Sequence, residues 1–257
     1  MDNHDVAAPA SDPTDQLWVV ATAGRLAGQG LLERPAESTD PVAVAGQRLL
    51  IAAGLLETDP ELIRARGATS GEVFLSILEQ CRAYLPGLPE RLDRPGAAFL
   101  DVGTGAGGIV IAMCRAHEGL HAVGLDISAV AVTAARGQVA EAGLGSRAKI
   151  REQSVAAIED VDAFDLLWVP QLFLPEPVLA QALPRLQRAA RPGAGLLMPI
   201  LTNSHTGVRG AATDLRNLMT GGGTLSAQAA RTMLRTAGFS RVETVDLPAG
   251  TVIVAAQ

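Results

Sequence analysis

The sequence predicts an α/β fold, an open and mostly parallel sheet preceded by an all-helical region. Residues 97–128, AAFLDVGTGAGGIVIAMCRAHEGLHAVGLDIS, supply the first observation. A short apolar run meets a glycine-rich turn, an apolar helical run follows, and a second apolar run closes on an acidic residue. That succession is one βαβ unit, the building block of a parallel sheet. The second observation is that helical and extended apolar segments keep alternating to the last residues of the chain. The third is size: 257 residues, 48% of them hydrophobic, suffice for one α/β domain and a smaller accessory piece.

Taken in order, residues 1–16 are acidic and contain prolines, and are expected to be a disordered tail rather than a signal peptide. Residues 17–95 are expected to be helical. A helix over 17–32 has Trp18 as its one large anchor; a second, over 42–56, is capped by Asp40 and starts on Pro41. A short third helix runs from Pro60 to Arg66, where Gly67 interrupts it. A fourth covers 72–85, with Phe74, Ile77, Leu78, Cys81 and Leu85 at helical spacing. From residue 96 on, strands are expected at 97–100, 122–125, 148–152, 163–169, 195–201, 240–246 and 251–255. Helices join them at 109–116, 128–142, 177–190 and 226–237, with Ser128 and Ser226 as caps and Gly143 and Gly238 as stops. Residues 202–224 read as a polar insertion with a helix over 211–219.

The charge pattern excludes some functions. The net charge is −6, the only lysine is Lys149, and arginines stand singly, so no electrostatic footprint for nucleic acid exists. No apolar run reaches the length that crosses a bilayer, and a cytoplasmic location is expected. Cys81 and Cys114 lie far apart without partners at metal-ligand spacing. They are expected to be buried, reduced thiols, and no metal is expected.

The glycine turn carries the chemistry. Glycines there open backbone angles closed to other residues and remove the Cβ that would keep a ligand off the chain. The helix that starts at the turn presents unpaired N–H groups. Gly103, Gly105 and Gly108 satisfy G-x-G-x-x-G, whereas Gly103, Gly105 and Gly107 satisfy G-x-G-x-G. Asp101 separates the two patterns, since a carboxylate suits a cationic ligand group better than a pyrophosphate. Asp126 ends the next strand, 21 positions beyond Gly105, where it can bind a ribose hydroxyl pair.

Asp101-Val-Gly103-Thr-Gly105-Ala-Gly107 followed by Gly124-Leu-Asp126-Ile-Ser128 resembles the first two motifs of the class I S-adenosylmethionine-dependent methyltransferases. The resemblance covers residues 96–257 and implies a seven-stranded Rossmann-like sheet whose last strand is antiparallel. It further implies that Asp101 and the backbone of Gly103, Thr104, Gly105 and Gly107 hold the methionine portion of S-adenosylmethionine, or of the product S-adenosylhomocysteine. Asp126 would then accept from the ribose hydroxyls and Ile127 would pack on adenine. Where many members carry an acidic residue after the third strand, this chain has Gln153 and Ser154, which could still hydrogen-bond the adenine. Pro170 and Gln171, after the fourth strand, complete the expected cofactor contacts. In such proteins a helical N-terminal region covers the substrate pocket or forms a dimer, and a homodimer through 17–95 is expected here.

The acceptor side is less legible. Plant-like O-methyltransferases place a histidine soon after the fourth strand, where this chain has Pro170-Gln171-Leu172-Phe173. The remaining candidate base is His205, although a lone histidine in a polar loop is more often merely solvated. Trp168 and Phe173 stand either where an acceptor would lie or in the core. The expected function is methyl transfer to the O, N or C atom of a small molecule, plausible for secondary metabolism. The rival reading is a methyltransferase-fold protein that binds the cofactor but performs another reaction or serves as a non-catalytic partner subunit.

Overall fold

The computed structural model describes residues 60–200, 225–247 and 250–257. The expected helices at 17–32, 42–56 and 211–219 lie outside them, and so do most of the segment on which the expected dimer rests and the whole polar insertion. The described elements are α1 (Pro60–Cys81), α2 (Leu88–Leu92), β1 (Ala98–Val102), α3 (Gly108–Ala116), β2 (His121–Asp126), α4 (Ala129–Glu141) and β3 (Ala148–Glu152). They continue with β4 (Phe164–Trp168), α5 (Glu176–Ala189), β5 (Ala190–Ile200), α6 (Ala227–Thr236), β6 (Arg241–Leu247) and β7 (Gly250–Ala256). The strands form one seven-stranded sheet in the order β3-β2-β1-β4-β5-β7-β6. Strands β1 to β5 pair in parallel, and β7 is antiparallel to both β5 and β6. No described helix is long and apolar enough to cross a membrane.

Both faces of the sheet are covered, which is why its central strands are apolar almost without interruption. On β1 and β4 the side chains alternate: Leu100, Val102, Leu167 and Val169 join one core, with α5 and α6. Phe99, Leu166 and Trp168 join the other, with α1 to α4. Trp168 is 7% exposed and meets Phe74 edge to face at 4.9 Å, so it serves packing. Asp165 is a buried acid that binds three parts of the fold together. Its Oδ2 accepts from the Ala98 amide at 2.9 Å and from Nη1 of Arg191.

Two expectations about elements are corrected. The helix over 177–190 was expected to end before a strand beginning at 195. Instead β5 starts on Ala190, which pairs with Phe164, and the next pair, Leu166 with Gly195, leaves the stretch between as a bulge. The Asp165–Arg191 ion pair and the left-handed Gly193 (φ +74°) allow it.

Nor does Gly67 interrupt a helix: α1 runs unbroken through Gly67 and Gly71, and a 3-10 turn, Arg82–Tyr84, ends it. The glycines are there for contact. A Cβ on Gly67 would stand 2.7 Å from the Ala106 Cβ, and one on Gly71 would stand 2.8 Å from the Ala112 Cβ and 2.9 Å from the Gly108 carbonyl oxygen. A Cβ on Gly108 would likewise overlap the Gly67 carbonyl. Missing side chains on both helices let α1 lie against the first turn of α3, and Phe74, Ile77 and Cys81 then reach the core. Propensity alone, at about 1 kcal/mol per glycine, is too weak to break a helix so held.

The same substitution should therefore have opposite signs in two helices. Gly71→Ala should destabilise by about 1–3 kcal/mol through overpacking. Gly137→Ala on α4, where nothing lies within 4 Å of the new Cβ, should stabilise by about 0.5–1 kcal/mol. Urea unfolding of both variants checks this, and equal signs would contradict the packing account.

Candidate functional site

In an open parallel sheet, ligands lie beyond the carboxyl ends of the strands. The glycine turn sits there, between β1 and α3. The Leu125 carbonyl accepts from the amides of both Gly103 (2.8 Å) and Thr104 (2.9 Å). The Gly105 amide donates to Oδ2 of Asp126 at 2.9 Å, and the Ser128 amide to its Oδ1 at the same distance. One carboxylate thus holds the turn and the entry to α4 together, and the Ser128 side chain caps that helix. Gly103, Gly105 and Gly107 all have positive φ, at 71°, 55° and 80°, whereas Gly108 does not. The backbone therefore obeys the G-x-G-x-G spacing, and Gly108 serves the contact with α1.

Asp101 is 1% exposed on the last turnward part of β1, between Gly124 and Trp168 of the neighbouring strands. Its Oδ2 accepts from the Thr104 hydroxyl at 2.7 Å; its Oδ1 is buried without a hydrogen-bond partner among the described residues. Burial pushes this carboxyl up to about 7, the Thr104 hydroxyl opposes the rise, and the Asp126 carboxylate adds to it. Gly124, to which sequence reasoning gave no role beyond its place in the second motif, makes the arrangement possible. A Cβ there would stand 2.7 Å from Oγ1 of Thr104, so any larger residue would push the hydroxyl away from Asp101. The signal was a glycine inside an apolar strand.

The other expected residues gather on the same edge to different degrees. Ile127 is 78% exposed, an apolar surface next to Asp126. Ser154 accepts from the Ala156 amide at 3.3 Å and Nε2 of Gln153 donates to the Ala157 carbonyl at 3.0 Å, so both side chains shape the short turn after β3. Pro170 and Gln171 are buried at the start of the turn after β4. Phe173, in that turn, is 36% exposed and lies against the bare Cα of Gly103, where a Cβ would come within 3.5 Å of its ring. His205 lies outside the described residues. Among the described residues no group of His, Cys, Asp or Glu is arranged to hold a metal ion. Both cysteines are free and buried.

A buried carboxyl with one oxygen unpartnered among the described residues, beside a glycine turn that brings no Cβ between it and a ligand, fits a ligand carrying an ammonium group. The residues present thus fit S-adenosylmethionine. Without that ligand the acid costs the fold stability. The folded chain keeps a proton at Asp101 that the unfolded chain has already released above the ordinary aspartate value, so stability falls as pH rises from about 4 to about 7. Asp101→Asn should therefore raise the melting temperature of the free protein at pH 8, with the gain gone or reversed by pH 4. A pH-independent difference in differential scanning fluorimetry would refute the assignment.

Comparison with known proteins agrees with this geometry. Residues 99–193 match the family model of the methyltransferase domain. The ubiquinone biosynthesis O-methyltransferase of Hahella chejuensis is 28% identical over 120 residues, 46% of this chain and 48% of that protein. The chain thus spans about half the length of the curated relative it matches. Among solved structures, the S-adenosylmethionine-dependent methyltransferase SibL in its apo form superposes with a TM-score of 0.60 at 22% identity, over 93% of this chain and 69% of that one. An O-methyltransferase family protein from Burkholderia thailandensis gives 0.56 at 17% identity, over 93% and 83%. An O-methyltransferase from neocarzinostatin biosynthesis, in complex with S-adenosylmethionine and 2-hydroxy-5-methyl naphthoic acid, gives 0.55 at 22%, over 79% and 59%. At such identities these structures speak for the fold. Sheet order, glycine turn and the family-model match coincide on one methyltransferase domain, which the match places at residues 99–193.

Proposed function

We propose that this protein transfers a methyl group from S-adenosylmethionine to an oxygen of a small, planar organic acceptor. The observation that carries the cofactor assignment is the orphaned, buried Oδ1 of Asp101 at the carboxyl end of the central strand. The acceptor class is supported by the company the fold keeps, which includes the O-methyltransferase named above in complex with a hydroxylated naphthoic acid.

When bound, the cofactor supplies an electrophilic methyl on a sulfonium. The residues of this chain bind and orient. Asp101 holds the ammonium, and the amides of the turn, fixed by Leu125 and Asp126, keep that anchor in place. The Asp126 carboxylate spends one acceptor position per oxygen on the protein and has lone pairs left for ribose hydroxyls. Ile127 offers a flat apolar contact to adenine. Gln153, Ser154, Pro170 and Gln171 border the same edge. Phe173 stands beside the turn as the exposed aromatic wall against which a planar acceptor can lie. Alignment of an in-line displacement supplies much of the rate, so a strong base is not essential for an acceptor that ionises readily. His205 remains the residue to test as a base. Residues 17–95 form the cover, and two chains pair through them.

Calorimetry on the purified protein should give micromolar binding of S-adenosylhomocysteine and none of NADH. Asp126→Ala should weaken the former at least tenfold, about 1.4 kcal/mol. Incubation with S-adenosylmethionine and hydroxylated naphthoic acids should then yield S-adenosylhomocysteine and a methyl ether by mass spectrometry. Cofactor binding with no transfer to any acceptor in a broad panel would favour the reading as a non-methylating or partner subunit. Light scattering at micromolar concentration should give about twice the chain mass of 26.6 kDa; the single-chain mass would exclude the dimer.

A further inference from the structure

The cofactor's ammonium is expected to meet an acid on which no cation acts among the described residues. Asp101 is enclosed, its Oδ2 is engaged by a neutral hydroxyl, and its Oδ1 has no partner among the described residues. Among the described residues, the charged group that acts on it is Asp126, a carboxylate of the same sign on β2. An ionised carboxyl so placed would be a buried charge without a counter-charge, a state that proteins avoid by holding the proton.

We propose that Asp101 is a neutral carboxylic acid in the free protein, and that cofactor binding expels its proton to solvent, so that capture of the ammonium is coupled to release of one proton. The proposal rests on the cofactor reading above. In the step the O–H bond of Asp101 breaks, the proton leaves to a water or buffer base, and the ligand's ammonium keeps its three protons and becomes the counter-charge. The site then selects for the amino-acid end of the ligand. A nucleoside thioether that lacks the ammonium can occupy the adenosine part and leaves the proton where it was. Product affinity consequently weakens as the medium turns acid, and the protein loads its cofactor less readily below neutral pH.

The test is titration calorimetry of the full chain at pH 6 with S-adenosylhomocysteine, in buffers of different ionisation enthalpy. The slope of the observed heat against that enthalpy counts the protons. For an acid titrating near 7 it should give about 0.9 proton released. Affinity should fall about tenfold between pH 6 and pH 5. 5′-Methylthioadenosine should bind with zero slope, and Asp101→Asn should remove the proton release from any residual S-adenosylhomocysteine binding. Difference infrared spectra of the wild type should show a protonated carboxyl band lost on binding, a readout that does not require the variant to fold. Buffer-independent heat at pH 6 overturns the proton coupling and leaves the cofactor reading intact. Release that persists in Asp101→Asn also overturns it, since another group would be the source. Failure of the folded protein to bind S-adenosylhomocysteine overturns the cofactor reading and the coupling with it.

Discussion

The carboxyl end of the sheet depends on the last two residues of β2. The Leu125 carbonyl takes two consecutive amides of the glycine turn, and the Asp126 carboxylate takes a third amide from the turn and a fourth from the start of α4. These bonds fix a segment whose glycines would otherwise leave its backbone free. They also use backbone donors that an unoccupied turn would leave to water. What the turn then presents to a ligand is a rigid frame, and rigidity matters where a displacement reaction must be aligned before it can proceed.

On that frame sits an acid placed at a cost. Asp101 faces the core shared by Phe99 and Trp168, and Gly124 gives up a side chain so that the Thr104 hydroxyl can reach it. Structural and functional demands conflict at this position, as they commonly do where a site must bind charge in a dry environment. The α1–α3 contact shows the opposite case, in which missing side chains on both helices strengthen the fold by letting backbones approach.

Much of this was readable from the chain. The third strand was placed at its observed limits, Ser128 and Ser226 cap the helices that were expected to follow them, and the two acidic residues that frame the glycine turn stand within the last two positions of their strands. Such features are local: a period of two or of 3.6, a hydroxyl before an apolar run. The misread features depend on partners distant in sequence. Gly67 has the composition of a helix breaker and becomes a helix interior only because Ala106 and Gly108 come against it. Residues 191–193 have the composition of a turn and form a bulge because Asp165 draws in Arg191. Trp168 and Phe173 were indistinguishable as core or wall until the strand alternation and Phe74 assigned the first to the core and left the second exposed. Gln153 and Ser154 sit in the expected place, yet their engagement with the turn after β3 follows from a backbone conformation that composition does not encode.

The burial of α1 has a consequence for biosynthesis. Phe74, Ile77, Cys81 and Leu85 find their neighbours on Phe99, Trp168 and Leu197, all of which follow them in the chain. During synthesis the apolar side of this helix therefore leaves the ribosome well before the strands that cover it. A domain of this topology cannot protect α1 by folding from the amino end, because the central strand waits for β4 to pair on its other side. In the interval that surface is available to chaperones or to other nascent chains.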